Sequence, residues 1–259
     1  MKRLQMPSSC LALFILAIAL GGCGDNSSPT PAGNLSLTIA SPGAAKSAKS
    51  AKSAKAAAAD TFTAGGDTLV VTAVQVVLKK VELQASDDAG ADSVRVEEFE
   101  AGPMLVDLPL GGAAEQVLSV DVTPGTYNQV EFKVHAVQGD DASAAAFQAA
   151  HPEFVGVSIR VAGSFNGTAF TFTSDLDSEQ ENDITPPLVV TEGGGAMNLT
   201  LRVDHTAWFT TAGGGLVDPA TAGAGGPNQG LVEENIKQSF DSFEDDNQDG
   251  HEDGGGHGF

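Results

Sequence analysis

Oxygen-bearing side chains recur at alternate positions late in this chain, at Asp245, Asn247 and Asp249, and are followed by Gly250, His251 and Asp253. Calcium is a hard cation that gathers about six to eight oxygen ligands, and alternate positions of a tight loop converge on one centre. Gly250 permits the sharp turn that such a loop needs, and His251 offers its backbone carbonyl. The stretch predicts a calcium site with Asp245, Asn247, Asp249, His251 and Asp253 as ligands. Two other readings compete. One is a solvated acidic tail whose charges repel. The other is a transition-metal site using His251 and His257 beside the carboxylates.

The pattern Asp-x-Asn-x-Asp-Gly-x-x-Asp resembles the calcium loops of EF-hands, dockerins and thrombospondin type 3 repeats. An apolar helical stripe just before it resembles the incoming helix of an EF-hand. The chain departs from that family at Gly256, where an EF-hand places a bidentate glutamate, and Gly254–Phe259 leaves no room for an exiting helix. The missing oxygens must then come from Asp241, Glu244, the rest of the fold or water. That points to a weak site of the extracellular kind, with Kd on the order of 10⁻⁴–10⁻³ M.

Other chemistry is harder to find. The chain has no Gly-x-Ser-x-Gly elbow, no His-Glu-x-x-His and no phosphate-cradling Gly-x-x-x-x-Gly-Lys. Its two cysteines are Cys10 and Cys23. His135 falls on the polar face of an alternating strand and His205 follows Asp204 at a strand end, so both read as surface or edge histidines. No catalytic residue is assigned, and the expectation is a protein that is not an enzyme.

The elements that must hold the acidic loop begin with a helix over 231–244, in which Val232, Ile236, Phe240 and Phe243 recur at helical spacing, with Asn228 as its cap. A Gly/Ala-rich linker, 211–230, precedes it. Upstream, residues 35–210 carry strand signals throughout. Leu35–Ile39 alternates. Thr68–Val77 is β-branched and nearly continuous, as in a strand covered on both faces, and alternation resumes over Lys79–Leu83. Val94–Phe99, Met104–Leu108 and Gln116–Val122 follow. After the Pro124-Gly125-Thr126 turn, Val130, Phe132, Val134 and Ala136 share one face, and Gln129, Glu131, Lys133 and His135 share the other. Ala142–His151 reads as a short helix stopped by Pro152. Asn166-Gly167 between Val155–Phe165 and Thr168–Phe172 is a type I′ hairpin signal. Ser174–Asp183 reads as an acidic loop. Met197, Leu199, Leu201 and Val203 form a last apolar face, and Trp208 and Phe209 plug one end.

The order Leu35–Ile39, Val74–Leu83, Leu105–Leu108 and Pro124-Gly125-Thr126-Tyr127 resembles the prealbumin-like (transthyretin-like) domains of bacterial envelope proteins, within an uncharacterised lipoprotein family carrying only a domain-of-unknown-function label. The resemblance implies a fold and a location but no activity. The expected fold is thus all-β: a prealbumin-like antiparallel β-sandwich with a short C-terminal helix. Ala44–Ala59 departs from that family as an Ala-Lys-Ser low-complexity insertion holding Lys46, Lys49, Lys52 and Lys55.

The start of the chain fixes an address. Lys2 and Arg3 precede an apolar run, Leu11–Leu20, too short to span a bilayer, and small residues follow it. Leu20-Gly21-Gly22-Cys23 resembles the lipobox of bacterial lipoproteins. The resemblance implies removal of residues 1–22, lipidation of Cys23, and a tether over 23–34 that is rich in Ser, Pro and Gly. Gly24 rather than aspartate after the cysteine favours the outer membrane over the inner one, again by resemblance. Across 259 residues, 34 Asp and Glu stand against 13 Lys and Arg, a net charge of −21. Nucleic acid is excluded as a partner because its affinity comes from neutralising phosphates. The expected partners are a membrane, through the lipid on Cys23, and an envelope protein or glycan. The resulting expectation is a lipid-anchored cell-envelope module that binds or supports without catalysis, stabilised by calcium. A calcium-dependent adhesin or glycan-binding domain and a hydrolase of envelope polymers are the alternatives.

Overall fold

The computed structural model describes residues 33–42, 59–85, 99–139, 142–193, 197–245 and 250. Residues 1–32, including Cys23, lie outside these, as do most of the Ala-Lys-Ser tract, all but Phe99 of the strand expected at Val94–Phe99, and Asn247, Asp249, His251 and Asp253.

The described elements run in chain order as β1 (Gly33–Ala40), β2 (Asp60–Ala64), β3 (Asp67–Ala85), β4 (Phe99–Ala101), β5 (Met104–Asp107), β6 (Ala114–Val122), β7 (Gly125–Val134), α1 (Ala142–Ala150), β8 (Ile159–Phe165), β9 (Thr168–Ser174), β10 (Ser178–Val190), β11 (Met197–Val203), α2 (Gln229–Lys237) and β12 (Phe240–Glu244). They form an all-β sandwich of two sheets. The smaller sheet has the order β12-β11-β1-β6. The larger runs β10-β7-β3-β8-β9, with β2, β4 and β5 also paired to β3. Pairing is antiparallel except between β1 and β11, which run parallel from Leu35 opposite Met197 to Ala40 opposite Arg202. The sandwich is therefore mixed and not wholly antiparallel. β1 begins at Gly33, so the last two residues of the expected tether belong to the sheet.

β3 is the spine of the larger sheet, and its apolar pattern explains why it reads as almost unbroken. Leu69 and Val71 face the core, then Val74, Val76 and Leu78, then Val81 and Leu83. The parity of the inward residue changes twice, at register shifts between Val71 and Ala73 and between Leu78 and Lys80. A bulge adds one residue and turns the following side chains to the other face. Val77 points outward and is covered there, where it packs with Val137, Ala144, Phe147 and Phe154 beneath α1.

Three elements differ from their sequence expectation. The acidic stretch around Ser178–Asp183 is a strand, β10, and not a loop. It pairs with β7 at one edge of its sheet, and its register shifts between Asp183 and Leu188. An edge strand tolerates the proline pair Pro186-Pro187, because it needs ladder donors on one side only. The helix expected over 231–244 covers only Gln229–Lys237, and Phe240–Glu244 pairs antiparallel with β11. Finally, Asn228 precedes that helix without capping it; its amide bonds to Thr221 Oγ1 at 2.8 Å.

Other expectations match. The Asn166-Gly167 hairpin has both residues in the left-handed region, at φ 50° and 81°, as a type I′ turn requires. Val130, Phe132, Val134 and Ala136 are all buried. Trp208 and Phe209 are buried too; Trp208 Nε1 donates to Ser239 Oγ at 2.8 Å, and Phe209 packs edge-on against Phe172.

Candidate functional site: a docked aspartate and a buried imidazole

The outer face of the smaller sheet carries an unusual polar seam. On β1 and β11 the alternation that sends Leu35, Leu37, Leu199 and Leu201 inward sends Ser36, Thr38, Asn198 and Thr200 outward, yet all four are buried. Buried polar groups must find partners, and here they find one another. Ser36 and Thr38 hydroxyls donate to Asn198 Oδ1 at 2.9 and 2.7 Å, and Asn198 Nδ2 donates to Thr200 Oγ1 at 3.0 Å.

Asp245 docks on this seam. It is completely buried. Its Oδ2 accepts from Thr200 Oγ1 and from the Gly250 amide, each at 2.8 Å. Its backbone is held as well, since Asn198 Nδ2 donates to Asp245 O at 2.8 Å and Asp245 N donates to Asn198 O at 3.1 Å. Gly250 has φ 82°, a conformation natural to glycine. A Cβ there would lie 3.1 Å from Ala40 Cβ, so Gly250 itself rests beside the end of β1. The first and sixth residues of the expected calcium loop are thus tied together and tied to the sheet. The element that enters the loop is β12 and not a helix, which corrects the likeness to the first half of an EF-hand. Phe240 and Ser242 face inward, and Phe243 faces outward beneath the Arg202 guanidinium, 5.4 Å from the ring centre.

A second constellation lies between the end of the same sheet and β2 of the larger one. His205, expected at a surface or edge, is buried instead, because a single helical turn after β11 folds its ring inward. Its Nδ1 lies 2.7 Å from Ser41 Oγ. Its Nε2 lies 3.0 Å from Asp60 Oδ2, well within reach of the carboxylate's charge. Asp60 Oδ2 also accepts from the Gly111 amide at 3.1 Å, and Phe62 meets the imidazole edge-on. Proximity of the carboxylate favours the proton on Nε2, leaving Nδ1 to accept from the Ser41 hydroxyl. Burial holds the imidazole pKa below its ordinary value despite Asp60 and Asp204. A hydroxyl on an imidazole beside a carboxylate is the contact used to activate nucleophiles. Ser41, however, is 1% exposed, so a substrate carbonyl has no approach to it in this conformation. What the cluster does as it stands is join three distant segments.

The polar face of β7 gathers charge. Lys80 pairs with Glu82 and with Glu131 at 3.2 Å, and Lys133 pairs with Glu179 at 2.8 Å. The ammonium of Lys133 holds the Glu179 carboxyl below its usual range. Carboxylate oxygens of Glu131, Glu179 and Glu181 lie within 4.8 Å of one another. His135 Nδ1 faces Asp177 Oδ1 at 3.4 Å.

The two aromatic side chains that a glycan-binding reading would use, Tyr127 and Trp208, are both buried. Among the described residues, a small apolar cavity lies between the sheets, lined by Leu35, Leu37, Val81, Leu83, Leu118, Val120 and Leu199.

No protein-family model matches the chain, and no curated protein or solved structure is significantly similar to it.

Proposed function

We propose that this chain is a lipid-anchored module of the bacterial cell envelope that binds or supports without catalysis. Lipid on Cys23 would fix its location, the outer membrane before the inner. Residues 24–32 would give reach, and the sandwich would present the contact surface to an envelope protein or glycan. Calcium bound by Asp245, Asn247, Asp249, the His251 carbonyl and Asp253 would pin the end of β12 to the smaller sheet, joining carboxylates that otherwise repel.

The observation that supports this reading is the burial of Asp245 on the Asn198–Thr200 seam, with its carboxylate accepting from the Gly250 amide. A loop whose first residue is already held, and whose sixth residue already turns, has less ordering to do when an ion arrives. The test is a thermal melt of residues 24–259 in chelator and then in millimolar calcium, beside Asp249→Ala. Millimolar calcium, roughly one to a hundred times the Kd expected of such a loop, should raise the wild-type stability by about 0.4–2.7 kcal/mol and leave the variant unchanged. Equal wild-type melts in both buffers would reduce the tail to charge alone. Lipidation has its own check: metabolic labelling with a fatty-acid analogue should mark the wild type and not Cys23→Ser.

A further inference from the structure

Asn166 is followed by Gly167, and no other asparagine in the chain is followed by glycine. Both residues are exposed at the tip of the β8–β9 hairpin. Glycine has no Cβ to shield its backbone nitrogen, so that nitrogen can attack the side-chain carbonyl carbon of an asparagine before it. In this fold the asparagine side chain is tied down. Asn166 Oδ1 accepts from the Thr68 amide at 2.8 Å, and Asn166 Nδ2 donates to Asp67 Oδ1 at 2.8 Å. The Asn166 amide donates to Thr68 O, also at 2.8 Å. These three bonds fasten the β8–β9 tip to the first two residues of β3, just after the Gly65-Gly66 turn. We propose that Asn166 is a guarded deamidation site: Asp67 and Thr68 hold its side-chain amide, and reaction with Gly167 follows only when those contacts open.

The reaction needs no partner but water. The Gly167 nitrogen bonds to Asn166 Cγ, and the Cγ–Nδ2 bond breaks. Nδ2 leaves as ammonia, carrying the proton that the glycine amide gives up. Water then opens the five-membered succinimide at either carbonyl, leaving an aspartyl or an isoaspartyl residue, with nothing oxidised or reduced. The folded chain opposes closure of that ring in two ways. Cγ must swing onto the backbone, which takes Oδ1 and Nδ2 away from both partners. The Asn166–Gly167 peptide must turn as well, while φ 50° and 81° hold it in a tight turn between the paired Phe165 and Thr168. The product also differs at the junction. A carboxylate cannot donate to Asp67 Oδ1, so a hydrogen bond becomes a contact between like charges. The isoaspartyl form adds a methylene to the backbone of a two-residue turn. Modification therefore unfastens the two hairpin tips.

The test follows conversion of amide to acid at position 166 by peptide mass spectrometry, on the full chain in mildly alkaline buffer. Losing one net hydrogen bond is worth about two- to tenfold in the population of the open side chain. Asp67→Ala should therefore deamidate about two- to tenfold faster than the wild type, and denatured wild type faster than the folded protein. Asp67→Asn removes the charge but keeps an acceptor, so its rate should stay close to that of the wild type. Equal rates in wild type and Asp67→Ala overturn the guard. So does Asp67→Asn reacting as fast as Asp67→Ala, because the effect would then belong to charge. Should Asp67→Ala fail to fold, the wild type decides alone: slower conversion folded than denatured sustains the guard, and equal conversion overturns it.

Discussion

Thr200 donates its hydroxyl to Asp245 Oδ2 at 2.8 Å, and neither side chain is exposed to solvent. The contact joins the middle of β11 to the residue that follows β12, so the last strand is held by its side-chain chemistry as well as by its ladder. Asp245→Ala would leave the Thr200 hydroxyl and the Gly250 amide without this acceptor. The expected loss is about 1–3 kcal/mol, the usual cost of stranding buried donors, read as a lower urea midpoint with unchanged slope. An unaltered midpoint would show that the seam does not need the carboxylate.

Two glycines of the β8–β9 hairpin separate steric from conformational cost. At Gly167 a Cβ meets nothing within 4 Å, but φ is +81°. Gly167→Ala should therefore lose about 1 kcal/mol through the backbone alone. At Gly163 φ is ordinary, but a Cβ would sit 2.0 Å from the Val70 carbonyl oxygen on β3. Gly163→Ala must push two paired strands apart and should be the more damaging of the two in parallel denaturation curves. The reverse order would contradict the close approach of β8 to β3.

Lys80 sits between Glu82 and Glu131, and its bond to Glu82, with Glu131 beside it, raises its pKa above the ordinary lysine range. A raised lysine pKa contributes stability that is complete below about 10.4 and fades as pH climbs through the folded-state value. Wild type should thus lose more stability on moving from neutral to strongly alkaline buffer than Lys80→Met does. At neutral pH the variant leaves Glu82 and Glu131 facing each other without the ammonium between them. Parallel pH-stability curves for the two proteins would refute the role of the ammonium.

Trp208 is the chain's sole tryptophan and is 1% exposed, with its indole N–H on Ser239. Native fluorescence should be blue-shifted and insensitive to iodide, moving to the red on unfolding. Trp208→Phe should cost at least the hydrogen bond, about 0.5–1.5 kcal/mol, in a denaturant titration followed by circular dichroism.

How far these features are legible in the sequence depends on how many signals agree at each position. β7 and the Asn166-Gly167 turn are legible because period, turn chemistry and burial coincide. β3 reads as a run covered on both faces because two bulges splice three alternating segments whose parities differ, and periodicity alone cannot see a bulge. β10 is hidden because its inward positions include Ser178, Gln180 and Asn182, so the strand lacks an apolar stripe until Ile184. The spacing of Phe240 and Phe243 continues the helical phase of Val232 and Ile236. Only the structure shows Phe240 inside against Phe132 and Phe243 outside under Arg202. At the site, the composition of the loop names Asp245 and Gly250, but nothing in it foretells the Ser36–Thr38–Asn198–Thr200 seam beneath. Ser41, Asp60 and His205 carry no shared motif: the parallel pairing of β1 with β11 brings Ser41 to His205, and Asp60 reaches them from β2 of the facing sheet.

The parallel contact of β1 with β11 has a consequence for the order of events in the cell. The smaller sheet draws its strands from residues 33–40, 114–122, 197–203 and 240–244. Its first strand therefore has no permanent neighbour on one side until some 160 residues later have been synthesised, and its edge is not closed until residue 244. Such distant pairings are slow to nucleate, because loop-closure entropy must be overcome before any contact rewards it. A chain built this way stays threadable while it is being made. Under the export proposed above, late closure of the sheet would act against folding on the wrong side of the membrane.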